Sequence, residues 1–333
     1  MDQPLLPFSL PKSFPRSRRA NRVQAGDAID AAGRKVLRKL FLEMAGHQAG
    51  VLGGTDPEAV HDMRVTIRRM RADLDLFEPF LPKKAVKFQG RALKQLGGAL
   101  GQVRDLEVMI GNAQAYQQTL PKTHQAAFIP LLDFLQARRT AAREPLLKLL
   151  ESGEFISYLQ ETIVFLSEPS AAGPLPSMPG EPSRVCELVP GLIFERFGVV
   201  RSFEVHIAGL SLEQLHALRG SLKRMRYALE CFQEPLGPQA SLLVTTLKDL
   251  QDHLGQLNDA NVAARTVQEF LQEWEAGQSE QAAAGRSSSV PFLTYLTRLL
   301  EQRDELVRSF PERWHAFNTV DFRHRLTRAV ARL

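Results

Sequence analysis

The chain has 333 residues, of which 44% are hydrophobic, so it can bury a substantial core in one large or two medium-sized domains. Its 42 Lys and Arg residues outnumber its 37 Asp and Glu residues, and the formal charge of +5 suits an anionic partner without proving one. The cysteines, Cys186 and Cys231, suggest no disulfide framework or metal cluster, and no apolar run approaches the ~18 residues of a membrane span, so we expect a cytoplasmic protein without a membrane segment.

The N-terminal residues 1–26 are predicted to form an extended tail. This segment contains four prolines that disfavour helix, namely Pro4, Pro7, Pro11 and Pro15. It also carries several arginines, namely Arg16, Arg18, Arg19 and Arg22. These arginines could contact an anion, but a solvated tail is the simpler expectation.

The rest of the chain has helical periodicity. Apolar residues recur at the helical spacing from Asp27 to about Leu166 and from about Val189 to the end, and strand signals are scarce. An all-α protein is therefore predicted. Proline and glycine mark a linker between the halves, and the polar residues 276–289 are expected to form a long loop between helices. The predicted organisation is a first helical half (27–166), a Pro/Gly-rich linker (167–187) and a second helical half (188–333).

A pattern of 12 residues occurs twice, as His61–Ala72 and as His216–Tyr227. Each copy is followed by a second shared pattern, Leu-Lys-x-Leu…Leu-Gly-x-x-x-Asp, which ends at Asp105 and at Asp259. Only one residue of register is lost between the two patterns, so an internal duplication is predicted. Each half is expected to contain an opening helix (28–50; 188–206), a motif helix (56–78; 211–233), a third helix (82–100; 238–256) and a fourth region that continues to the end of the half.

The repeated pattern places its basic residues on one side of a helix. The first basic row is His61, Arg64, Arg68 and Arg71, and the second basic row is His216, Arg219, Lys223 and Arg226. Each row borders an apolar stripe, and the stripes are Val60, Met63, Ile67, Met70, Leu74 and Phe77, and Leu215, Leu218, Leu222, Met225, Leu229 and Phe232. Arg69 and Arg224 point elsewhere, and no acidic residue is expected on the same face as either row.

Such rows favour a phosphate ligand, because arginine binds phosphate by paired hydrogen bonds and lysine acts as a mobile point charge. The alternative for any single side chain is a salt bridge or packing along the core. For the rows together this alternative is weaker, since like charges at these spacings repel one another. Asp105 and Asp259 are expected to cap a helix or to pair with Arg69 and Arg224.

The sequence contains no credible catalytic constellation. His61-Asp62 matches the dipeptide of metal-dependent phosphohydrolases, but Ala217 follows His216 in the second copy. Neither histidine has a metal ligand at i+3 or i+4 on the motif face, so no metal or cofactor is expected. No phosphate-binding glycine loop, nucleophile-elbow serine or Glu-x-Glu-x-Lys strand occurs.

The spaced motifs, recurring in order in both halves, closely resemble those of the CHAD family, the histidine-containing α-helical domains. The resemblance covers residues 28–333, so that 27–333 would form one domain. It implies two pseudo-symmetric four-helix bundles, a basic central groove between them, and binding of inorganic polyphosphate, often at polyphosphate granules. Some relatives carry a preceding triphosphate-processing domain, whose Glu-x-Glu-x-Lys strand does not occur here, so binding without turnover is expected.

Carried over by position, the resemblance also implies the residues of a binding face. They are His61, Arg64, Arg68, Arg71 and Lys94 from the first half, and His216, Arg219, Lys223, Arg226 and Lys248 from the second. Lesser candidates are Arg38, Arg143, Arg196 and Arg303.

Two other functions stay open. A nucleic-acid binder would stack bases on exposed aromatic side chains, and Tyr227 is the one aromatic residue beside the rows. A phosphate-processing enzyme would need clustered carboxylates to hold a metal, and none is expected on the basic face. Nucleic acid is therefore the alternative partner to polyphosphate.

Overall fold

The computed structural model describes residues 10–11, 14–17, 19–54, 56, 58–167, 181–279 and 288–333. These residues form helices and their connections, and the described ranges contain no strand beyond one isolated bridge between Ala28 and Arg184. The predicted all-α class is therefore confirmed. None of the described helices is both long enough and apolar enough to cross a bilayer.

The described α-helices are, in chain order, α1 (Ile29–Gly53), α2 (Ala59–Phe77), α3 (Lys83–Thr119), α4 (Lys122–Ala127), α5 (Ile129–Glu151), α6 (Gly153–Ser167), α7 (Val185–Arg201), α8 (Leu212–Cys231), α9 (Gln233–Leu236), α10 (Pro238–Ser279), α11 (Val290–Phe317) and α12 (Val320–Val330). Two 3₁₀ segments, Glu78–Phe80 and Ser202–Gly209, follow α2 and α7. The motif helices α2 and α8 thus each precede a very long helix.

Local sequence fixes where α8 begins and where the turn before α10 lies. Ser211 accepts a hydrogen bond from the Gln214 amide at 3.2 Å, and the Gln214 side chain accepts one from the Ser211 amide at 2.9 Å. This reciprocal capping box satisfies two free amide groups at the helix start. Gly237 has φ of 75°, a conformation that glycine adopts without steric cost, and it separates α9 from α10.

The apolar stripes of α2 and α8 are buried as predicted. Every stripe residue is less than 5% exposed, and burying one large aliphatic side chain stabilises the fold by about 1.5–3 kcal/mol. The two helices contact each other, and the rings of Phe77 and Phe232 at the stripe ends meet with centroids 5.8 Å apart. Because the stripes face inward, their orientation determines where the neighbouring basic rows project.

The cores do not divide the described residues into two separate bundles. The larger core runs continuously through both halves, from α1, α2 and α3 to α7, α8 and α10. A smaller core joins the far ends of α3 and α5 to those of α10 and α11, where Tyr116 stacks on Tyr295 at 4.6 Å. The subdivision into two four-helix bundles therefore stays a prediction.

The predicted third helices were too short. They were expected to end at residues 100 and 256, but α3 continues to Thr119 and α10 to Ser279. Gly101 and Gly255 lie inside these helices, because buried residues such as Ile110 and Phe270 extend the apolar spacing beyond them.

The N-terminal segment is packed at some of its described positions and exposed at others, so the expectation of a solvated tail was wrong in part. Phe14 is buried, with its ring 6.3 Å from that of Phe41. Arg22 forms a 2.5 Å ion pair with Glu234 of the second half. Much of the predicted linker, 168–180, and part of the predicted loop, 280–287, lie outside the described residues, as do residues 1–9 and Arg18.

Candidate anion-binding site

A cavity of about 340 Å³ lies between the motif helices α2 and α8 and the long helices α3 and α10. We call it the central cavity. Its cationic lining residues are Arg64, Arg68, Arg104, Arg219, Lys223 and Arg226. Its carboxylates are Asp105, Asp252 and Asp259. Cations from both halves therefore converge on one space and outnumber the acidic groups.

The two halves place their first arginine in the same way. A Cβ atom at Gly101 would lie 3.7 Å from Nε of Arg64, and one at Gly255 would lie 3.7 Å from Nη2 of Arg219. Each guanidinium thus crosses a long helix at a position without a side chain. The two halves therefore pack equivalent arginines against equivalent positions of α3 and α10.

Asp105 does not have the partner that the sequence predicted. Its Oδ1 forms a 3.0 Å ion pair with Nη2 of Arg64, whereas Arg69 pairs with Glu230 at 3.5 Å. Asp259 also lines the central cavity. The prediction that these aspartates cap a helix or pair with Arg69 and Arg224 was wrong because α3 and α10 continue past them and turn them toward the basic rows.

Tyr227 connects the two rows. Its hydroxyl accepts a 2.7 Å hydrogen bond from Nε of Arg68, and the Arg226 guanidinium lies 4.5 Å from the centre of its ring. The side chain is only 3% exposed. Tyr227 therefore positions two cations and presents no open face on which a nucleic-acid base could stack.

Arg226 is tied to its own half of the molecule. It donates a 2.9 Å hydrogen bond from Nε to the Gln251 side chain and forms an ion pair with Glu230. Glu230 is one helical turn after Arg226, on the same face as the second row. Asp75 has the same spacing from Arg71 on α2, so the expectation that these faces carry no acidic residue was wrong for both motif helices.

The electrostatics of the central cavity are those of crowded positive charge. Burial, together with Arg219, Arg68, Arg64 and Arg226, lowers the pKa of Lys223 to about 7. Burial also lowers the pKa of Arg219, against the opposing effect of Asp259. A buried amine loses its proton easily when cations surround it. A bound anion would favour the charged form of Lys223 and so raise its pKa again.

The structure brings most of the predicted binding face together. His61 joins Arg64, Arg68, Arg219, Lys223 and Arg226 in the central cavity. Arg71 and Lys94 line a neighbouring cavity at the start of α3 instead. Lys248 is exposed and lines neither cavity, and His216 is exposed, with Nδ1 3.2 Å from Oδ1 of Asn258. The two halves are therefore not equivalent at these positions.

The lesser candidates lie away from the central cavity. Arg38 is buried and donates a 2.6 Å hydrogen bond to the Leu166 carbonyl, and Arg143 donates one of 2.9 Å to the Val51 carbonyl. The other two have partners on their own helices, namely Arg196 on the Leu192 carbonyl and Arg303 on Asp304. Their contacts hold helices together or lie at the surface, and none of the four lines the central cavity.

Sequence reasoning missed several residues of the central cavity. Arg104 lines it and pairs with Glu107 at 3.5 Å, and Gln251 and Gln256 add amide groups. The signal for Arg104 was its position directly before Asp105 in the second shared pattern. Within the described residues no group of three or more His, Cys, Asp or Glu side chains could hold a metal ion.

Comparison with known proteins identifies the family. The model of the CHAD domain matches residues 35–268. The structure is similar to the CHAD domain from the plant Ricinus communis, with 20% identity, a TM-score of 0.65, and coverage of 95% of this chain and 96% of that one. It is also similar to PptA from Streptomyces chartreusis, with 16% identity, a TM-score of 0.64, and coverage of 86% and 99%. No curated protein sequence matches the chain.

These structural likenesses are low in sequence identity and support the fold alone. The family model, in contrast, spans well over half of the chain and includes both basic rows. The chain therefore belongs to the CHAD domain family.

Proposed function

We propose that this protein binds inorganic polyphosphate in the central cavity and does not turn it over. The observation that carries the proposal is the convergence of six Arg and Lys side chains from both halves on the central cavity, against three carboxylates. A polyphosphate chain supplies one anionic group after another without bulky side groups. Charge-assisted hydrogen bonds from the arginines would hold it.

Two features support polyphosphate over nucleic acid. The described lining of the central cavity has no Phe, Tyr or Trp, and Tyr227, which contacts both rows, is buried beneath Arg226. Single-strand binders gain much of their affinity from stacking bases on aromatic rings. Nucleic acid is the alternative occupant, and it would have to bind through phosphates alone.

Binding without catalysis fits the chemistry of the cavity. Phosphoryl transfer needs carboxylates that hold a metal ion. Asp105 is instead paired with Arg64. Incubation with polyphosphate should release no orthophosphate, and EDTA should leave the affinity unchanged. Steady release of orthophosphate or loss of binding in EDTA would favour an enzyme.

We further propose that the protein acts at polyphosphate granules in the cytoplasm, where such a binding site would be occupied.

Titration of polyphosphate into matched variants tests the proposed site. Arg219→Ala with Lys223→Ala removes two cations from the central cavity and should weaken binding by tenfold or more, since charged hydrogen bonds contribute ~1.5–3 kcal/mol each. The control, Arg313→Ala with Lys122→Ala, removes one arginine and one lysine that are exposed and lie outside this cavity. Equal losses in both variants would contradict the proposed site.

A further inference from the structure

A second cavity, of about 950 Å³, lies where α2 ends and α3 begins, and we call it the outer cavity. Its charged lining residues are the cations Arg71, Lys83, Lys87 and Lys94 and the carboxylates Asp75 and Glu78. The four cationic side chains are exposed, and within the described ranges none of them forms an ion pair. The outer cavity therefore has an excess of free positive charge.

One face of α3 leads from the central cavity to the outer cavity. At about 100° per residue, Lys83, Lys87, Lys94, Gly101 and Asp105 fall within about 40° of one another. Asp105 lines the central cavity and the three lysines line the outer cavity. The rise from position 87 to position 105 is ~27 Å. A linear polyanion could follow this face without crossing another helix.

Three glycines of α3, namely Gly97, Gly98 and Gly101, lie between the two cavities. A Cβ atom at Gly97 would lie 3.6 Å from Nη1 of Arg71, and one at Gly98 would have no atom within 4 Å. Gly101 lies under Arg64 in the same way. Between Lys94 and Asp105, Arg64 and Arg71 therefore lie beside positions of α3 that carry no side chain, where a chain of phosphates has room to approach the helix.

The second half of the molecule does not repeat this path. The residue that corresponds to Gly97 is Gln251, which accepts a hydrogen bond from Arg226, and the Arg226 side chain is only 13% exposed. Within the part of the chain that the structure describes, Arg71, the counterpart of Arg226, has no such partner. The counterparts of Lys83 and Lys87 are Gly237 and Ser241, which carry no charge.

The remaining cations on the corresponding surface of the second half are already paired. A cavity of about 540 Å³ there is lined by Gly237 and Ser241 together with acidic residues of α2, α8 and α9. Arg22 pairs with Glu234 at 2.5 Å, and Arg69 pairs with Glu230 at 3.5 Å. An anion would have to break these ion pairs to bind at this surface.

We propose that a long polyphosphate chain leaves the central cavity over the first half only, along α3, and ends on the cations of the outer cavity. This inference rests on the proposed polyphosphate binding. It makes the site asymmetric although the motifs are repeated. It also predicts a preference for long chains, because tripolyphosphate fills the central cavity without reaching Lys87.

The test compares long-chain polyphosphate with tripolyphosphate on matched variants. Lys83→Gln with Lys87→Gln should weaken long-chain binding roughly fivefold, as expected for two exposed charge contacts, and should leave tripolyphosphate binding unchanged. The control, Lys122→Gln with Arg313→Gln, removes the same charge elsewhere and should change neither. All four positions are exposed, and thermal unfolding of each variant verifies that the fold is intact.

A second comparison tests the asymmetry. Lys94→Gln should weaken long-chain binding more than Lys248→Gln, although the two lysines occupy equivalent positions in the repeat. Equal losses for these two variants, or an unchanged long-chain affinity in the Lys83 and Lys87 variant, would overturn the inference while polyphosphate binding stands. If neither ligand binds the parent protein, the proposed function itself fails.

Discussion

Lys223 is the residue at which the charge of the central cavity should be measurable directly. Burial and four arginines lower its pKa to about 7. At pH 8 the Lys223 amine is therefore neutral in most molecules of the free protein. A bound polyanion favours the charged form. We therefore expect binding at pH 8 to take up close to one proton, as calorimetry in buffers of different ionisation enthalpy would show, and Lys223→Met to abolish most of that uptake.

The same shift predicts how stability depends on pH. Because the pKa of Lys223 falls from 10.5 to about 7 on folding, the unfolded chain binds more protons between these values, and stability contributed by this group rises with pH across that window. Below pH 7 the charged amine is buried at a cost. Lys223→Met should therefore raise the denaturation midpoint at pH 6 and lose the stability gain between pH 7 and pH 10. A lower midpoint at pH 6 would contradict the assigned cause.

The two motif histidines should differ, although they occupy equivalent positions in the repeat. His61 lines the central cavity, whereas His216 is exposed and close to Asn258. An imidazole that lines the cavity can donate a hydrogen bond to a bound phosphate chain. We expect His61→Gln to weaken polyphosphate binding in a titration at fixed pH and His216→Gln to leave it unchanged. Equal effects would place both imidazoles at the ligand.

At the scale of the helix, the two basic rows should both be needed for binding but should differ in stability. Arg64→Ala with Arg68→Ala removes the ion pair to Asp105 and the hydrogen bond to the buried Tyr227 hydroxyl, so we expect a destabilisation of ~1–3 kcal/mol. Arg219→Ala with Lys223→Ala relieves repulsion and should leave stability unchanged or higher. Denaturant titration and polyphosphate titration of both variants check this. A variant that bound normally would remove its row from the site.

Helix geometry explains which parts of the site the sequence could predict. The stripe and row of a helix depend only on residues a few positions apart, so the buried face of α2 and the cationic side beside it followed from periodicity. The partner of Asp105 depended on how far α3 continues and on which helix crosses it, and a local pattern contains neither fact. Glu230 and Asp75 were different, because their spacing of four from Arg226 and Arg71 is visible in the sequence.

A local pattern also does not show that equivalent positions in the two copies of the repeat have different surroundings in the folded protein. Equivalent motif positions predicted equivalent roles for Lys94 and Lys248, yet Lys94 lines the outer cavity and Lys248 lines neither the outer nor the central cavity. Their surroundings differ because some positions inside the second shared pattern, such as Gly97 and Gln251, are not repeated. The packing of the N-terminal segment, with Phe14 against Phe41, was likewise invisible, since an isolated aromatic residue in a proline-rich stretch has no periodicity.

At the scale of the whole molecule, the shared core holds the two rows in one relative position. The larger core extends through both halves, and α2 contacts α8 directly, so the cations on either side of the central cavity cannot separate without breaking buried packing. The site is therefore preorganised for an anion, and little conformational entropy should be lost when the ligand binds.

Competition between long-chain polyphosphate and DNA tests the central claim most directly. At equal phosphate concentration and fixed salt, the account predicts that polyphosphate displaces both single- and double-stranded DNA, because the central cavity is lined by cations and gives bases nothing to stack on. Polyphosphate affinity should also fall steeply as salt is added, since binding releases counterions. DNA binding as tight as that of polyphosphate, or an affinity independent of salt, would contradict the account.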